Sequence, residues 1–131
     1  MMRIGEASER CGLPVRTIRY YEDVGLVQPK RSPNGYRDYD GGTLQRLVFL
    51  RRARGLGFSL NDCRALLSLY EDEGRASADV KRLTLSHLDA IDRKLAELQS
   101  LRDTLSDLAD ACRGDGRPEC PILQDLARET P

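Results

Sequence analysis

Two short helices flank a tight break in the stretch Ile4-Gly5-Glu6-Ala7-Ser8-Glu9-Arg10, Gly12-Leu13-Pro14 and Val15-Arg16-Thr17-Ile18-Arg19-Tyr20-Tyr21-Glu22-Asp23. Ile4 and Ala7 share one side of the first segment, Gly and Pro punctuate the middle, and the second segment starts near Val15. This is the pattern of a helix-turn-helix. Arg16 and Arg19 stand one turn apart on the second helix, on the face that a recognition helix presents to a major groove. The arginine fork suits this place because it pairs in two-pronged fashion with guanine edges or phosphates. Of the adjacent Tyr20 and Tyr21, one is expected to pack the core, and Tyr20 is assigned to the DNA-facing set.

Downstream, Gln28-Pro29-Lys30-Arg31-Ser32-Pro33-Asn34-Gly35-Tyr36-Arg37-Asp38-Tyr39 reads as a hairpin turning at Asn34-Gly35. With Arg31, Tyr36 and Arg37 near its turn, it is a basic wing suited to a phosphate backbone. Thr43 is the expected N-cap of a helix through Arg54. Gly55-Leu56-Gly57-Phe58 breaks it, and Ser59 then caps a helix with Leu60, Cys63, Leu66, Leu67 and Tyr70 on its apolar face.

After Glu71-Asp72-Glu73-Gly74, Ser77 is the expected N-cap of a long helix, with Asp79 in its favourable first turn. Neither Gly nor Pro interrupts the chain from there to about Asp110, a helix of about 50 Å at 1.5 Å per residue. Leu88, Ile91, Leu95, Leu98, Leu101, Leu105 and Leu108 step by three and four, close to a coiled-coil seam. A second copy of the chain is the natural cover, which predicts a homodimer. The predicted fold is all-α with a small β-wing. Residues 1–75 form the winged helix-turn-helix, 76–110 the dimerisation helix, and 111–131 a metal-binding loop and short terminal helix.

That loop, Cys112-Arg113-Gly114-Asp115-Gly116-Arg117-Pro118-Glu119-Cys120, carries two thiols and no other Cys, His or Met. Zinc favours about four ligands in a closed tetrahedral site, whereas Cu(I), Ag(I) and Au(I) favour thiolates and tolerate two of them. Two thiolates and one monovalent ion leave a net charge of −1, costly to bury without compensation. Cys112 and Cys120 are therefore the expected ligands of a monovalent ion, Cu(I), Ag(I) or Au(I). Cys11 and Cys63 sit singly among apolar neighbours and are expected in the core. His87, the single His, is expected to be an ordinary seam or surface residue.

Composition sets the limits. The 131 residues are 40% hydrophobic, 32% charged and 5% aromatic without Trp, which favours Leu/Ala-seamed helices over a sheet sandwich. The zero net charge conceals a basic front and an acidic back, as expected of a nucleic-acid module joined to something else. No leader-like or membrane-spanning run is evident, so a cytoplasmic protein with reduced cysteines is expected. No acid/base or nucleophile constellation supports an enzyme. Two alternatives accompany the metal-sensor reading: a thiol redox sensor of the same fold, and a copper-sequestering coiled-coil protein.

The string Arg16-Thr-Ile-Arg-Tyr-Tyr-Glu22, then Gly25-Leu26-Val27, Asn34-Gly35-Tyr36-Arg37 and a helix opening near Leu44, resembles the MerR family of bacterial transcription regulators. With the terminal Cys loop, the resemblance narrows to the copper-export branch. It implies a homodimer joined by an antiparallel coiled coil on double-stranded promoter DNA. In such regulators the metal-loaded form distorts an overlong promoter spacer so that RNA polymerase can use it, here at a copper efflux or detoxification promoter. The resemblance further implies that the Ser77 end of one protomer's long helix lies beside the other's loop. Ser77 and Lys81 would there offset the site's negative charge. Divalent-metal sensors of the family usually carry a third Cys where this chain has Ser77. Arg113, Arg117 and Pro118 depart from the pattern of the best-known copper sensors. Ordering of the loop is expected to dock the segment from Pro121 to Ala127, through Ile122, Leu123 and Leu126, on the partner's long helix.

Overall fold

Side chains fully withdrawn from solvent include Tyr39, Ile18, Leu47, Leu50, Val27, Cys11 and Cys63, which come from four helices and the chain around the hairpin. The computed structural model describes residues 1–129. In chain order its elements are α1 (Ile4–Cys11), α2 (Val15–Asp23), β1 (Lys30–Arg31), β2 (Arg37–Asp38), α3 (Gly41–Gly55), α4 (Leu60–Glu71), α5 (Ser77–Ala111) and α6 (Pro121–Leu126). Two compact units result, Met1–Leu83 and Thr84–Pro131.

In the first unit, helical spacing places Ala7 and Cys11 on one face of α1, and Ile18 and Tyr21 on one face of α2. Thr43, Leu47, Leu50 and Ala53 line the buried stripe of α3, which packs against both α1 and α4. Gly12 ends α1 in the left-handed region (φ 80°), its N–H donating to the Ser8 carbonyl. The α1–α2 turn therefore favours Gly by its dihedral, and a Cβ there would also press on the flexible Arg51 side chain at 3.3 Å. Cys11 and Cys63 are core residues, as their apolar surroundings predict.

The wing is present, but its turn is built differently from the Asn34-Gly35 reversal read from sequence. Gly35 N–H donates to the Ser32 carbonyl at 2.9 Å and Ser32 N–H to the Tyr36 carbonyl at 2.8 Å, with only Gly35 of this turn at positive φ (86°). Pro33 fixes the first central position near φ −65°, so Asn34 stays on the ordinary side and Gly35 closes the loop as the left-handed residue. Strands pair antiparallel with Lys30 opposite Asp38 and Arg31 opposite Arg37. The segment before α1 lies along this hairpin: Met2 N–H donates to Asp38 Oδ1 at 3.0 Å, and Tyr39 N–H to the Met2 carbonyl at 2.9 Å.

Two helix starts correct the sequence reading. Asp40, not Thr43, caps α3, accepting from Thr43 N–H at 2.9 Å and from its hydroxyl at 3.0 Å. The poor helix formers Gly41 and Gly42 occupy the first turn because a carboxylate cap satisfies its free N–H groups. Ser77 is the first residue of α5 rather than the residue before it, and Ala76 accepts from Asp79 N–H at 3.0 Å. Ser59 caps α4 as expected, accepting from Asp62 N–H at 3.1 Å.

Helix α5 runs 35 residues, about 52 Å, and none of its side chains is buried. Its seam is open, with exposures from 38% at Ile91 to about 60% at Leu95, Leu98, Leu101 and Leu105. No helix among the described residues is long and apolar enough to cross a membrane.

Leu50→Ala, which opens a cavity at the centre of the α3 stripe, is expected to cost about 3 kcal/mol, read from denaturant unfolding of the same helical content. Hydrogen bonds from Thr43 N–H first, then its hydroxyl, then Lys30, hold the Asp40 carboxyl below the usual range. Its contribution is thus present above the unfolded titration range and lost as pH falls through the lowered native value. Asp40→Asn should flatten the acid limb of the thermal midpoint against pH, and an unchanged limb would remove Asp40 from the account.

Candidate functional site

Burying Ile18 and Tyr21 turns the opposite side of α2 outward, and Arg16 and Arg19 are exposed there. The neighbouring tyrosines divide as expected. Tyr21 is buried, whereas Tyr20 is 48% exposed, its ring centroid 6.2 Å from that of Tyr21. Between α2 and the wing lies a cleft of about 350 Å³ whose lining includes Arg3, Arg19, Glu22, Tyr36, Arg37 and Tyr39.

Within the cleft, Arg37 Nε donates to Glu22 Oε1 at 2.6 Å, and the Tyr39 hydroxyl to Glu22 Oε2 at 3.4 Å. An exposed ion pair adds little stability; its effect here is to lash the wing to α2 at a set distance. Arg31 Nη1 donates to the Gly35 carbonyl at 3.1 Å, stiffening the turn. Tyr36 is 51% exposed with the Arg3 guanidinium 4.1 Å from its ring centroid. Arg3, Glu22 and Tyr39 were not singled out from sequence. Arg3 and Glu22 join this surface only through tertiary contacts with a hairpin distant in the chain, and Tyr39 directly follows β2. Other cations serve the fold, as Arg54 donates to the Phe58 carbonyl and Arg64 to the Val24 carbonyl, each at 2.7 Å.

The second unit holds the cysteine loop. Cys112 follows the last residue of α5, its N–H donating to the Ala109 carbonyl at 3.2 Å. Cys120 occupies the N-cap position of α6, with Pro121 as the first helical residue. Pro has no N–H to offer, and it is well suited to that first position. The Cys120 side chain makes no capping hydrogen bond, yet the N–H groups of Leu123 and, less strongly, Ile122, together with the Cys112 thiol, favour negative charge on its sulfur. These contacts, Leu123 first, outweigh the opposing desolvation and hold the Cys120 thiol below its ordinary range. Both cysteines are half-buried free thiols. A depression of about 250 Å³ beside them is lined by Ala111, Arg113, Asp115, Arg117, Glu119 and Pro121. Arg117 N–H donates to Asp115 Oδ1 at 2.9 Å, bracing the loop. Among the described residues, no group of three or more His, Cys, Asp or Glu side chains converges on one point, so the two thiols stand without further side-chain ligands of these types.

In the first unit, Ser77 and Lys81 are exposed on the opening turns of α5. Ile122 of α6 is half-buried, while Leu123 and Leu126 are 65% and 73% exposed. His87 lies on α5, half-buried.

Comparison with known sequences decides the family. The profile for the MerR HTH family regulatory protein matches residues 2–70, and that for MerR, DNA binding, matches residues 44–108. The chain belongs to the MerR family. Relatives of this MerR-family chain include the HTH-type transcriptional regulator HmrR of Rhizobium leguminosarum bv. viciae, 59% identical over 96% of this chain and 98% of that protein. The heavy metal-dependent transcription regulator 2 of Rhizobium meliloti (strain 1021) is 46% identical over 96% of this chain and 86% of that one. Among solved structures, the transcription regulator PbrR691 from Ralstonia metallidurans CH34, in complex with lead(II), superposes with a TM-score of 0.85. It is 38% identical and covers 97% of this MerR-family chain and 100% of its own. These relatives are regulators of transcription, not enzymes.

Chemical reactivity checks the electrostatics of the loop. Because N–H donors lower the Cys120 thiol while burial raises that of Cys63, Cys120 should alkylate well ahead of Cys63 in the reduced native protein at neutral pH. Its advantage should persist as pH falls below the ordinary thiol range. Timed labelling with peptide mapping reads this, and equal rates would contradict the arrangement around Cys120.

Proposed function

We propose that this chain is a cytoplasmic, homodimeric MerR regulator that senses a monovalent soft ion through Cys112 and Cys120 and activates a copper efflux or detoxification promoter. The observation that carries the reading is the cysteine pair itself: two free, half-buried thiols at the two ends of one short loop, with Cys120 biased toward thiolate. This donor set fits Cu(I), Ag(I) or Au(I), whereas zinc would want about two further ligands. When bound, such an ion supplies a cross-link between the two sulfurs.

The chain's own residues do the rest. Leu123 and Ile122 N–H groups support negative charge on Cys120. The Ser77 end of a second copy's α5, with Lys81, offsets the charge that remains on the loaded pair. Domain roles follow the sequence boundaries, with 1–75 binding DNA, 76–110 pairing the protomers through an antiparallel coiled coil, and 111–131 sensing. Arg16, Arg19 and Tyr20 on α2, with Arg31, Tyr36 and Arg37 of the wing, contact double-stranded promoter DNA. Ordering of the loop docks Ile122, Leu123 and Leu126 on the partner and biases the dimer between two arrangements of its DNA-binding ends. The metal must favour one arrangement, since equal affinity shifts nothing. The favoured arrangement distorts the promoter for RNA polymerase.

The test is promoter-specific transcription by the wild type and Cys112→Ser with Cu(I), Ag(I), Au(I), Zn(II) and Hg(II). The wild type is expected to respond to the monovalent ions. Cys112→Ser should lose the response, with metal affinity falling beyond the ~10–100-fold typical of losing an outer partner. A response led by zinc or mercury would overturn the assignment, and one produced by oxidation of the reduced protein without metal would replace it with thiol redox sensing.

A further inference from the structure

Arg3 is the residue that the wing contributes nothing to in sequence and everything to in space. Hydrogen bonds from Met2 N–H to Asp38 Oδ1 and from Tyr39 N–H to the Met2 carbonyl make residues 1–3 a flank of the hairpin. Arg3 itself is extended (φ −87°, ψ 165°) just ahead of α1, and its carbonyl accepts from Ala7 N–H at 3.0 Å. The backbone on both sides is therefore held by hydrogen bonds, which fixes the point from which the side chain starts. Its guanidinium carbon lies 4.1 Å from the Tyr36 ring centroid.

A guanidinium stacked on a ring face has its charge anchored by the ring quadrupole while its N–H edges stay available to oxygen acceptors. Charge accounting in the cleft shows why this matters. Glu22 and Asp23 also line it, and Glu22 is engaged with Arg37. Arg37 thus shares its charge with a carboxylate while its remaining N–H groups stay exposed, whereas Arg3 makes no ion pair among the described residues. With Arg37 paired to Glu22 and Asp23 offsetting part of the remainder, the net positive charge that the cleft offers to an anion rests on Arg3 and Arg19. Arg19 stands on the recognition helix, and Arg3 stands on the wing side.

We propose that Arg3, stacked on Tyr36, is a contact to the phosphate backbone of duplex DNA, clamping one phosphate where the wing meets the first helix. The inference rests on the DNA-binding reading above and deepens it. Arg3 fixes register on the backbone and carries no base preference.

The experiment measures the salt dependence of affinity for a DNA duplex selected by the wild-type protein from a random library, with full-length wild type, Arg3→Gln, Arg3→Ala and Arg3→Lys. Each phosphate contact contributes about 0.9 to the slope of log K against log salt. Arg3→Gln and Arg3→Ala are each expected to lower that slope by about one per protomer, about two per dimer. Arg3→Lys should keep the slope while losing several-fold in affinity, because an ammonium retains the charge without the stacked plane. Thermal midpoints should stay near wild type, since Arg3 starts α1 through its backbone. A slope unchanged in both Arg3→Gln and Arg3→Ala overturns the proposal even if affinity falls, because a purely structural role lowers affinity without releasing fewer ions. If the wild type itself shows no salt-dependent binding to any selected duplex, the DNA-binding reading falls, and the clamp falls with it.

Discussion

A 35-residue helix that buries none of its side chains is the constraint on which the rest of this molecule depends. Leu95, Leu98, Leu101 and Leu105 of α5 stand more than half exposed along a stripe too narrow and too regular to be a surface accident. Each Leu covered from water contributes about 2 kcal/mol, so a partner with the same stripe is a strong thermodynamic demand. In the proposed dimer, self-complementary pairing follows, since a two-fold axis brings identical seams together. It is also what would place one chain's cysteine loop beside the other's helix start.

The first unit divides its work between rigidity and charge. Ile18 and Tyr21 anchor α2 in the core, and that anchoring alone sets which side faces out. Only the base of the wing is anchored in the same way, through buried Val27 and Tyr39, because its two-residue strands bury almost nothing. Polar ties add to this, Arg37 and the Tyr39 hydroxyl to Glu22 on one side and the Met2 backbone on the other. A basic hairpin that would otherwise sway is thereby set at a defined distance from the recognition helix. The cost is that Arg37 shares its charge with Glu22, which raises the importance of the remaining cations around the cleft.

Most of the architecture was legible because the chain is punctuated by Gly and Pro and its helices carry clear apolar periods. Where the reading slipped, a local signal was outweighed by another. Thr43 looks like a cap because it is a favoured N-cap residue just ahead of the apolar pattern from Leu44, yet the Asp40 carboxylate three residues before it takes both the N–H and the hydroxyl of Thr43. Asn34-Gly35 signals a two-residue turn, but Pro33 has already fixed the preceding dihedral, and the loop closes one residue wider. Tyr39, fully buried, has no periodic neighbours to announce it, since it enters the core from a loop edge. At the cysteine loop, spacing alone suggested a pair. That Cys120 sits at a helix start, beside N–H donors, required coordinates.

Sequence by itself determined the order and kind of the elements, the family, the open seam of α5 and the isolation of two thiols in one loop. These are properties of period, punctuation and composition, which act over a few residues and survive any placement in space. Tertiary structure decided which arginines are spent and which remain available. Arg37 finds Glu22, Arg54 finds the Phe58 carbonyl, and Arg3 finds the face of Tyr36. Long cationic side chains are nearly alike in sequence, and their roles diverge only when folding brings a carboxylate, a carbonyl or a ring within a few ångströms.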